Sequence, residues 1–200
     1  MSRADPDAAP KCAVVVPIRS FADAKQRLAD VLDDHQRIEL MRTLAHHVLE
    51  VASTCATVVV TSDREVRELA TGFGADVLAD PGSLDAAATL GQSWARDRGF
   101  ARVVVVHADL PYLTDLAPFA APADQPVCVL VPDQRHDGTP ILSIPTATSF
   151  EFAYGPGSFE RHERAAERCG LLVTIPLDVR AGFDIDLPDD LAALHPTEPR

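Results

Sequence analysis

The sequence lacks the features that mark membrane proteins, secreted proteins and metal-thiolate proteins. Its apolar runs all fall short of the roughly 18 residues that a membrane-spanning helix needs. Residues 1–10 include no apolar stretch, which argues against a secretory signal there and predicts a polar tail. The four cysteines are widely spaced without a Cys-x-x-Cys pair, so neither zinc binding nor redox chemistry is indicated. We therefore expect a cytoplasmic protein whose residues 11–195 form a single domain.

Positive charge is also scarce. The chain has 18 lysines and arginines against 30 aspartates and glutamates, which gives a formal net charge of −12. This excess of negative charge argues against nucleic acid or an anionic membrane as a partner. Lysine occurs only twice, at Lys11 and Lys25, so Lys25 is unusual within an arginine-rich chain. Nothing in the sequence indicates an oligomeric state.

The order of apolar and amphipathic segments predicts an α/β fold. We expect strands near 12–17, 57–61, 76–79, 103–106, 127–131, 141–144 and 171–175, and helices near 35–53, 64–70, 84–98, 114–121, 158–169 and 189–194. Strands and helices alternate in the first half, which favours a parallel, doubly wound sheet. The second half has more strands per helix, so the whole sheet should be mixed but mostly parallel, with helices on its faces. In such Rossmann-like sheets, ligands bind at the C-terminal ends of the strands.

Three aspartates are the candidate metal ligands. Asp109 follows the valine strand at 103–106, while Asp184 and Asp186 are two residues apart and face the same side if their segment is extended. Converging carboxylates repel, by on the order of 4 kcal/mol for a pair about 4 Å apart at an effective dielectric constant of about 20. A bound Mg²⁺ or Mn²⁺ removes that repulsion, because hard cations take oxygen ligands. The alternative is that these aspartates cap turns and helices.

A basic loop follows the first strand. It carries Arg19, Lys25 and Arg27, at a place where α/β folds bind phosphates. The loop lacks the glycines of a P-loop or a Rossmann fingerprint. The arginines and the lysine would instead bind a polyphosphate through their charges and forked hydrogen bonds. The alternative is a solvated loop that happens to be basic.

Two glycine-containing motifs are candidate anion sites. In Asp137-Gly138-Thr139, glycine allows close approach of the backbone to a ligand and threonine adds a hydroxyl, although the same motif is typical of a tight turn. In Gly155-Pro156-Gly157-Ser158, the chain enters a helix at its N-terminus, which favours anions. Ser158 would alternatively be the helix N-cap, or serve both purposes. His162, one turn later, would face the same anion or lie on the surface.

Taken in order, these motifs resemble those of the 2-phospho-L-lactate guanylyltransferase family. This family includes the phosphoenolpyruvate guanylyltransferases of coenzyme F-420 biosynthesis. The resemblance runs from about residue 12 to residue 194. It rests on Val16-Pro17 with Lys25 and Arg27-Leu28, Gly74-Ala75-Asp76, Asp109-Leu110-Pro111, Asp137-Gly138-Thr139, Gly155-Pro156-Gly157-Ser158-Phe159 with His162, and Asp184-Ile185-Asp186 with Pro188.

The resemblance implies a nucleotidyltransferase with a Rossmann-like fold. It implies transfer of GMP from GTP to a phosphorylated three-carbon acid, namely 2-phospho-L-lactate, phosphoenolpyruvate or 3-phosphoglycerate, with release of pyrophosphate. It assigns Asp109, Asp184 and Asp186 to Mg²⁺ or Mn²⁺, Thr139, Gly155 and Ser158 to the acid, and Lys25 and Arg27 to the nucleotide triphosphate. On this basis Lys25, Arg27 and Asp109 are the expected catalytic residues, and Arg19 joins the substrate-binding residues.

Three positions depart from the family pattern. The family usually has lysine where this chain has Arg19, and asparagine where it has Asp85 and Pro140. An additional carboxylate at Asp85 would disfavour a nucleotide or alter the choice of base. Together the three changes bear on the choice of acid and, to a lesser extent, on the use of GTP.

Three other functions are also compatible with the sequence. A glycosyltransferase that uses a nucleotide-sugar also combines a Rossmann-like sheet with an acidic metal motif, but it releases a nucleoside diphosphate. A haloacid-type phosphatase has a nucleophile motif similar to Asp184-Ile185-Asp186, although that motif belongs after the first strand. A non-catalytic nucleotide-binding relative would explain Arg19 and Asp85 as losses of function.

Overall fold

The computed structural model describes residues 12–23, 25–120, 125–177 and 179–194. The predicted tail at 1–10 and both predicted domain bounds, 11 and 195, lie outside these ranges. The strands are β1 Cys12–Pro17, β2 Ala56–Val60, β3 Asp76–Leu78, β4 Arg102–Val106, β5 Val127–Val131, β6 Ile141–Pro145 and β7 Leu172–Thr174. The helices are α1 Asp34–Ala52, α2 Arg64–Gly72, α3 Leu84–Asp97, α4 Ser158–Arg168 and α5 Pro188–Leu194, with 3-10 turns at Gln26–Leu28, Ala117–Phe119 and Arg180–Gly182.

The seven strands form one sheet in the order β3-β2-β1-β4-β6-β5-β7. Strands β3, β2, β1 and β4 are parallel neighbours, as expected for the alternating first half. Strand β6 is antiparallel to both β4 and β5, and β7 is parallel to β5. The prediction of a mixed, mostly parallel sheet with flanking helices is thus confirmed.

The valine-rich central strands are buried on both faces because helices cover both sides of the sheet. Along β1, Val14 and Val16 belong to one apolar cluster with Val48 of α1. Val15, which points the other way, belongs to a second cluster with Trp94 of α3. The alternation follows from the two-residue period of a strand. Helix α1 begins at a capping box between Asp33 and Gln36.

One predicted helix is wrong. Within the described part of the segment predicted at 114–121, the chain forms only the 3-10 turn Ala117–Phe119. Pro118 has no backbone N–H to donate to a helix. In addition, the carboxylate of Asp115 accepts from the N–H of Ala117 at 3.0 Å and so competes with helical hydrogen bonds. The other predicted elements are found with shifts of one or two residues at their ends.

In the described ranges, the helices are too short or too polar to cross a membrane.

Helix α3 lies close to the sheet at Gly91, and this gives a test of the packing. A Cβ atom at position 91 would lie 2.4 Å from Cγ1 of Val15, in the core of β1. We expect Gly91→Ala to lower the free energy of unfolding by about 1–2 kcal/mol, because overpacking outweighs the gain in helix propensity of about 1 kcal/mol. Urea denaturation measures the change. Gly72→Ala is the control, since a Cβ atom there meets nothing within 4 Å. Equal effects of the two substitutions would contradict the close packing.

Candidate functional site

The three predicted metal ligands meet at one edge of the sheet. Asp109 follows the C-terminal end of β4, and Asp184 and Asp186 lie between the 3-10 turn Arg180–Gly182 and α5. One carboxylate oxygen from each aspartate lies within 4.8 Å of the other two. The chain therefore brings together carboxylates that are about 75 residues apart in sequence (from 109 to 184).

The acidic cluster has the character of a cation site. Among the described residues, Oδ1 of Asp109 and Oδ1 of Asp184 are buried and have no hydrogen-bond partner. Burial, followed by the charges of Asp109 and Asp186, raises the pKa of Asp184 to about 7. Unpaired buried carboxylate oxygens are costly, and oxygen is the ligand that Mg²⁺ and Mn²⁺ prefer. The three aspartates thus fit a divalent cation.

Lys25 supplies the positive charge within this cluster. Its side chain is only 5% exposed, and Nζ contacts Asp109 and also Oδ1 of Asp186, at 2.9 Å from the latter. Burial by itself would lower the pKa of Lys25, but the two carboxylates raise it above its ordinary value. For Asp109 the two effects have the opposite signs. Burial by itself would raise the pKa of this carboxyl, but the charge of Lys25 lowers it below its ordinary value. The backbone of Lys25 is in the left-handed region, at a φ of 57°, and these ion pairs offset the strain of that conformation.

The two predicted arginines of the same loop point in different directions. Nη1 of Arg27 lies 3.7 Å from Oδ2 of Asp186, and its side chain is 69% exposed. Arg19 donates to the carbonyl oxygen of Gly82 at 2.6 Å and forms an ion pair with Asp80. Arg27 thus lies beside the acidic cluster, whereas Arg19 lines a neighbouring depression that it shares with Asp109.

A cavity of about 370 Å³ connects the acidic cluster with the predicted anion site. Its walls include the three aspartates and Arg27, together with Thr139, Gly155 and Ser158. The predicted metal ligands and the predicted acid-binding residues therefore share one cavity. Lys25 contacts two of the residues that form the cavity wall, Asp109 and Asp186.

The loop between β5 and β6 is a turn built around Asp133. Its carboxylate accepts from the backbone N–H groups of Arg135, Asp137 and Gly138, at 3.0, 2.9 and 2.7 Å. A side chain at Gly138 would collide with this carboxylate, because its Cβ atom would lie 2.7 Å from Oδ2. The chain turns at residues 134–135, so Asp137-Gly138 follows the turn within a longer loop instead of forming a tight two-residue turn, and this loop carries Thr139 to the cavity wall.

Asp137 joins this turn to the start of α4. Its carboxylate accepts from the N–H of Gly157 at 2.9 Å, and its carbonyl oxygen accepts from the N–H of Phe159 at 3.0 Å. Gly155 and Gly157 both have positive φ, at 106° and 71°, where glycine avoids the penalty of a side chain. Gly157 is the N-cap of α4, so the prediction of Ser158 as N-cap is wrong.

Ser158 and His162 are buried against Thr139. Oγ of Ser158 lies 3.4 Å from Oγ1 of Thr139, and Nδ1 of His162 lies 3.0 Å from the same oxygen. The surface alternative for His162 is wrong, since its side chain is completely buried. The family resemblance implied that Thr139 and Ser158 bind the same acid, whereas no sequence pattern indicated that His162 contacts Thr139.

Asp190 holds the segment that bears two of the aspartates. Its Oδ2 accepts from the N–H groups of Asp186 and Leu187, at 3.0 and 2.7 Å. Its Oδ1 accepts from Arg135 at 2.5 Å and from Gln134 at 2.9 Å. Burial raises the pKa of Asp190, but these hydrogen bonds lower it below its ordinary value. The capping role thus belongs to Asp190, and Asp184 and Asp186 remain directed toward the cavity.

Asp85 and Pro140, which like Arg19 depart from the family pattern, also have structural contacts. Oδ1 of Asp85 accepts from the backbone N–H of Tyr154 at 2.6 Å, which fixes the loop before Gly155. The carbonyl oxygen of Pro140 accepts from the N–H of His107 at 2.9 Å, at the end of β4. The carboxylate of Asp85 is therefore already paired with the protein backbone.

Solved structures with the same fold include several nucleotide-dependent transferases. A protein described as a nucleotide-diphospho-sugar transferase, from Desulfovibrio desulfuricans, has a TM-score of 0.74 at 15% identity, over 92% of this chain and 86% of that one. A nucleotidyl transferase from Methanothermobacter has a TM-score of 0.65 at 16% identity, over 92% and 96%. Glucosyl-3-phosphoglycerate synthase from Mycobacterium tuberculosis, solved with Mn²⁺, UDP-glucose and glycerol 3-phosphate, has a TM-score of 0.52 at 14% identity, over 92% and 75%. These likenesses establish the Rossmann-like nucleotidyltransferase type of fold.

Comparison of sequences is more specific. The phosphoenolpyruvate guanylyltransferase of Sphaerobacter thermophilus is 34% identical over 90% of this chain and 90% of its own length. That of Rubrobacter xylanophilus is 35% identical over 90% and 92%. The profile of the guanylyl transferase CofC-like family matches residues 12–196, which confirms the resemblance seen in the motifs. The chain therefore belongs to the guanylyl transferase CofC-like family and is a nucleotidyltransferase.

Proposed function

We propose that this enzyme transfers GMP from GTP to a phosphorylated three-carbon acid in coenzyme F-420 biosynthesis, with phosphoenolpyruvate as the first candidate acceptor. The observation that carries the proposal is the shared cavity. The three carboxylates line one part of it, and Thr139, Gly155 and Ser158 line another. The relatives named above act as phosphoenolpyruvate guanylyltransferases, which supports both the guanylyl group and the acid.

The proposed reaction needs no general base. A phosphate oxygen of the acid forms a bond to the α-phosphorus of GTP, while the bond between the α- and β-phosphates breaks and pyrophosphate leaves. The attacking oxygen is already an anion, so catalysis consists of positioning and charge neutralisation. Asp109, Asp184 and Asp186 would hold Mg²⁺ or Mn²⁺, which neutralises charge on the two anionic substrates.

The remaining charges and hydroxyls divide between the two substrates. Lys25 and Arg27 lie beside Asp186 and would neutralise the triphosphate. Thr139, Gly155 and Ser158 would bind the phosphorylated acid through hydroxyl and backbone groups. Arg19, in the depression beside Asp109, would contact the nucleotide from the other side of the cluster. These local cations would offset the repulsion that a chain of net charge −12 exerts on an anionic nucleotide.

A matrix of four nucleoside triphosphates against three acids tests the proposal. Each mixture of enzyme with 2-phospho-L-lactate, phosphoenolpyruvate or 3-phosphoglycerate is incubated with and without Mg²⁺ and analysed by mass spectrometry. We expect a product with the mass of GMP plus one acid minus one water, together with pyrophosphate, only when Mg²⁺ is present. A parallel mixture with UDP-glucose or GDP-mannose and an acid tests the glycosyltransferase alternative. Release of a nucleoside diphosphate there, without product from GTP, would overturn the proposal.

Removal of one metal-ligand charge tests the role of the acidic cluster. We expect Asp109→Asn and Asp186→Asn to lower kcat by at least about 100-fold, because each removes a carboxylate from the cation site. Steady-state pyrophosphate release gives the rate, and circular dichroism checks that the variants are folded. Asp189→Asn is the matched control, since Asp189 is an exposed aspartate on α5. Full activity in either cluster variant would remove the metal assignment.

Lys25 gives a second test, because its charge occupies the place where a divalent cation would bind. A single and a double positive charge about 4 Å apart repel by about 2 kcal/mol even in bulk water, which corresponds to more than about tenfold in affinity. We therefore expect Lys25→Met to tighten Mn²⁺ binding by the nucleotide-free protein at least about tenfold, and yet to lower kcat. Electron paramagnetic resonance measures free Mn²⁺.

The control for this test is Arg27→Met, which removes an exposed charge at a greater distance from Asp186. Its effect on Mn²⁺ binding should be small because solvent screens the charge. Weaker Mn²⁺ binding in Lys25→Met would contradict the prediction, since it would mean that the ammonium group organises the ligands instead of competing with the cation.

A further inference from the structure

His162 is completely buried on α4, and both of its ring nitrogens are within hydrogen-bond distance of a partner. Nε2 accepts from the backbone N–H of Ala153 at 3.0 Å. An accepting nitrogen carries no proton, so a neutral imidazole here has its proton on Nδ1. Burial, followed by the nearby charges of Arg161 and His107, lowers the pKa of His162 to about 4, which keeps the ring neutral. The backbone of Ala153 thus selects the tautomer of His162.

The position of Ala153 is itself fixed by the same helix. Arg161 donates to the carbonyl oxygen of Ala153 from Nε at 3.1 Å and from Nη2 at 2.9 Å. The next residue, Tyr154, donates its N–H to Asp85 at 2.6 Å. Two side chains of α4 thus bind the backbone of Ala153, His162 at its N–H and Arg161 at its carbonyl oxygen. These contacts keep the N–H of Ala153 directed at Nε2 of His162.

The proton on Nδ1 determines the direction of the Thr139 hydroxyl. Nδ1 lies 3.0 Å from Oγ1 of Thr139, and as the donor it occupies a lone pair of that oxygen. The hydroxyl proton of Thr139 must then point away from His162, toward Ser158 or into the cavity whose wall both residues form. Oγ of Ser158 is 3.4 Å away, which is long for a bond between two hydroxyls. The proton is therefore available to a stronger acceptor, such as an anionic phosphate oxygen.

We infer that His162 is a positioning residue that makes Thr139 a hydrogen-bond donor toward the phosphorylated acid. The nature of the ligand rests on the proposed function, whereas the tautomer and the orientation of Thr139 do not. With a proton on Nε2 instead, Nδ1 would accept from Thr139, and the threonine would present a lone pair to the cavity. A lone pair there would repel the anion. His162 thus favours an anionic acceptor without touching it.

Nuclear magnetic resonance of ¹⁵N-labelled histidines tests the tautomer directly. The chain has seven histidines, and comparison with His162→Gln assigns the signals of His162. At pH 7 we expect a protonated Nδ1 and an unprotonated Nε2 in the wild-type protein. A protonated Nε2 would overturn the inference, whichever substrates the enzyme uses.

A pair of amide substitutions tests the consequence for substrate binding. The amide nitrogen of Asn overlays Nδ1 of histidine, so His162→Asn retains a donor to Thr139. Gln reaches the position of Nε2, so His162→Gln retains an acceptor for Ala153 and loses the donor. We expect His162→Gln to raise the KM of phosphoenolpyruvate at least about tenfold with little change in the KM of GTP, and His162→Asn to stay within about threefold of wild type. Equal rises in both variants would indicate a merely structural role and overturn the inference.

Thr139→Val completes the test, because it removes the hydroxyl through which His162 acts. This variant should raise the KM of phosphoenolpyruvate as much as His162→Gln does, and the double variant should show no further rise. Additive effects, or an unchanged KM in Thr139→Val, would overturn the inference even if His162→Gln does not fold. If wild-type enzyme gives no product with any of the three acids, the proposed function fails, and the tautomer measurement still decides whether His162 orients Thr139.

Discussion

The site depends on the repulsion between three carboxylates that the fold brings within 4.8 Å of one another. Folding places Asp109, Asp184 and Asp186 together although each would be more stable apart in water. The cost is visible in the raised pKa of Asp184, which results from burial and from the two neighbouring charges. Lys25 offsets part of this cost and leaves two buried oxygens unpaired among the described residues. On the proposed function, a divalent cation would offset the rest, and the cluster has the oxygen ligands to hold one.

Those supporting contacts come from one end of the sheet. Asp190 of α5, held by Gln134 and Arg135 of the β5–β6 loop, fixes the segment of Asp184 and Asp186. Asp133 closes the β5–β6 turn, and Asp137 links that turn to the helix that carries Ser158 and His162. The acidic cluster and the Thr139–Ser158 side of the cavity are thus joined by aspartates that accept backbone hydrogen bonds. The chain thus uses several of its carboxylates to fix loops, and directs Asp109, Asp184 and Asp186 toward the cavity.

Sequence reasoning located the strands, the family and the groups that share the cavity because these depend on local patterns. Valine runs predict buried strands, and Asp109 follows such a strand at the edge where ligands bind. The contact of Lys25 with Asp109 and Asp186 spans 84 and 161 residues, so no local pattern encodes it. The buried state of His162 was equally hidden, because a histidine on a polar helix is as compatible with the surface as with the core. At 114–121 a local pattern gave a wrong prediction. The apolar spacing predicted a helix, but Pro118 lacks an N–H and Asp115 binds the backbone N–H of Ala117, so only a 3-10 turn forms.

The most direct test of the account is the location of a bound cation. Crystals grown with Mn²⁺ and a non-hydrolysable GTP analogue, measured at the manganese absorption edge, reveal the ion by its anomalous scattering. The account predicts a manganese peak in contact with carboxylate oxygens of Asp109, Asp184 and Asp186, with Lys25 moved off Asp109 and onto the triphosphate. A peak held by other residues, or a nucleotide bound with no manganese between it and the three aspartates, would contradict it.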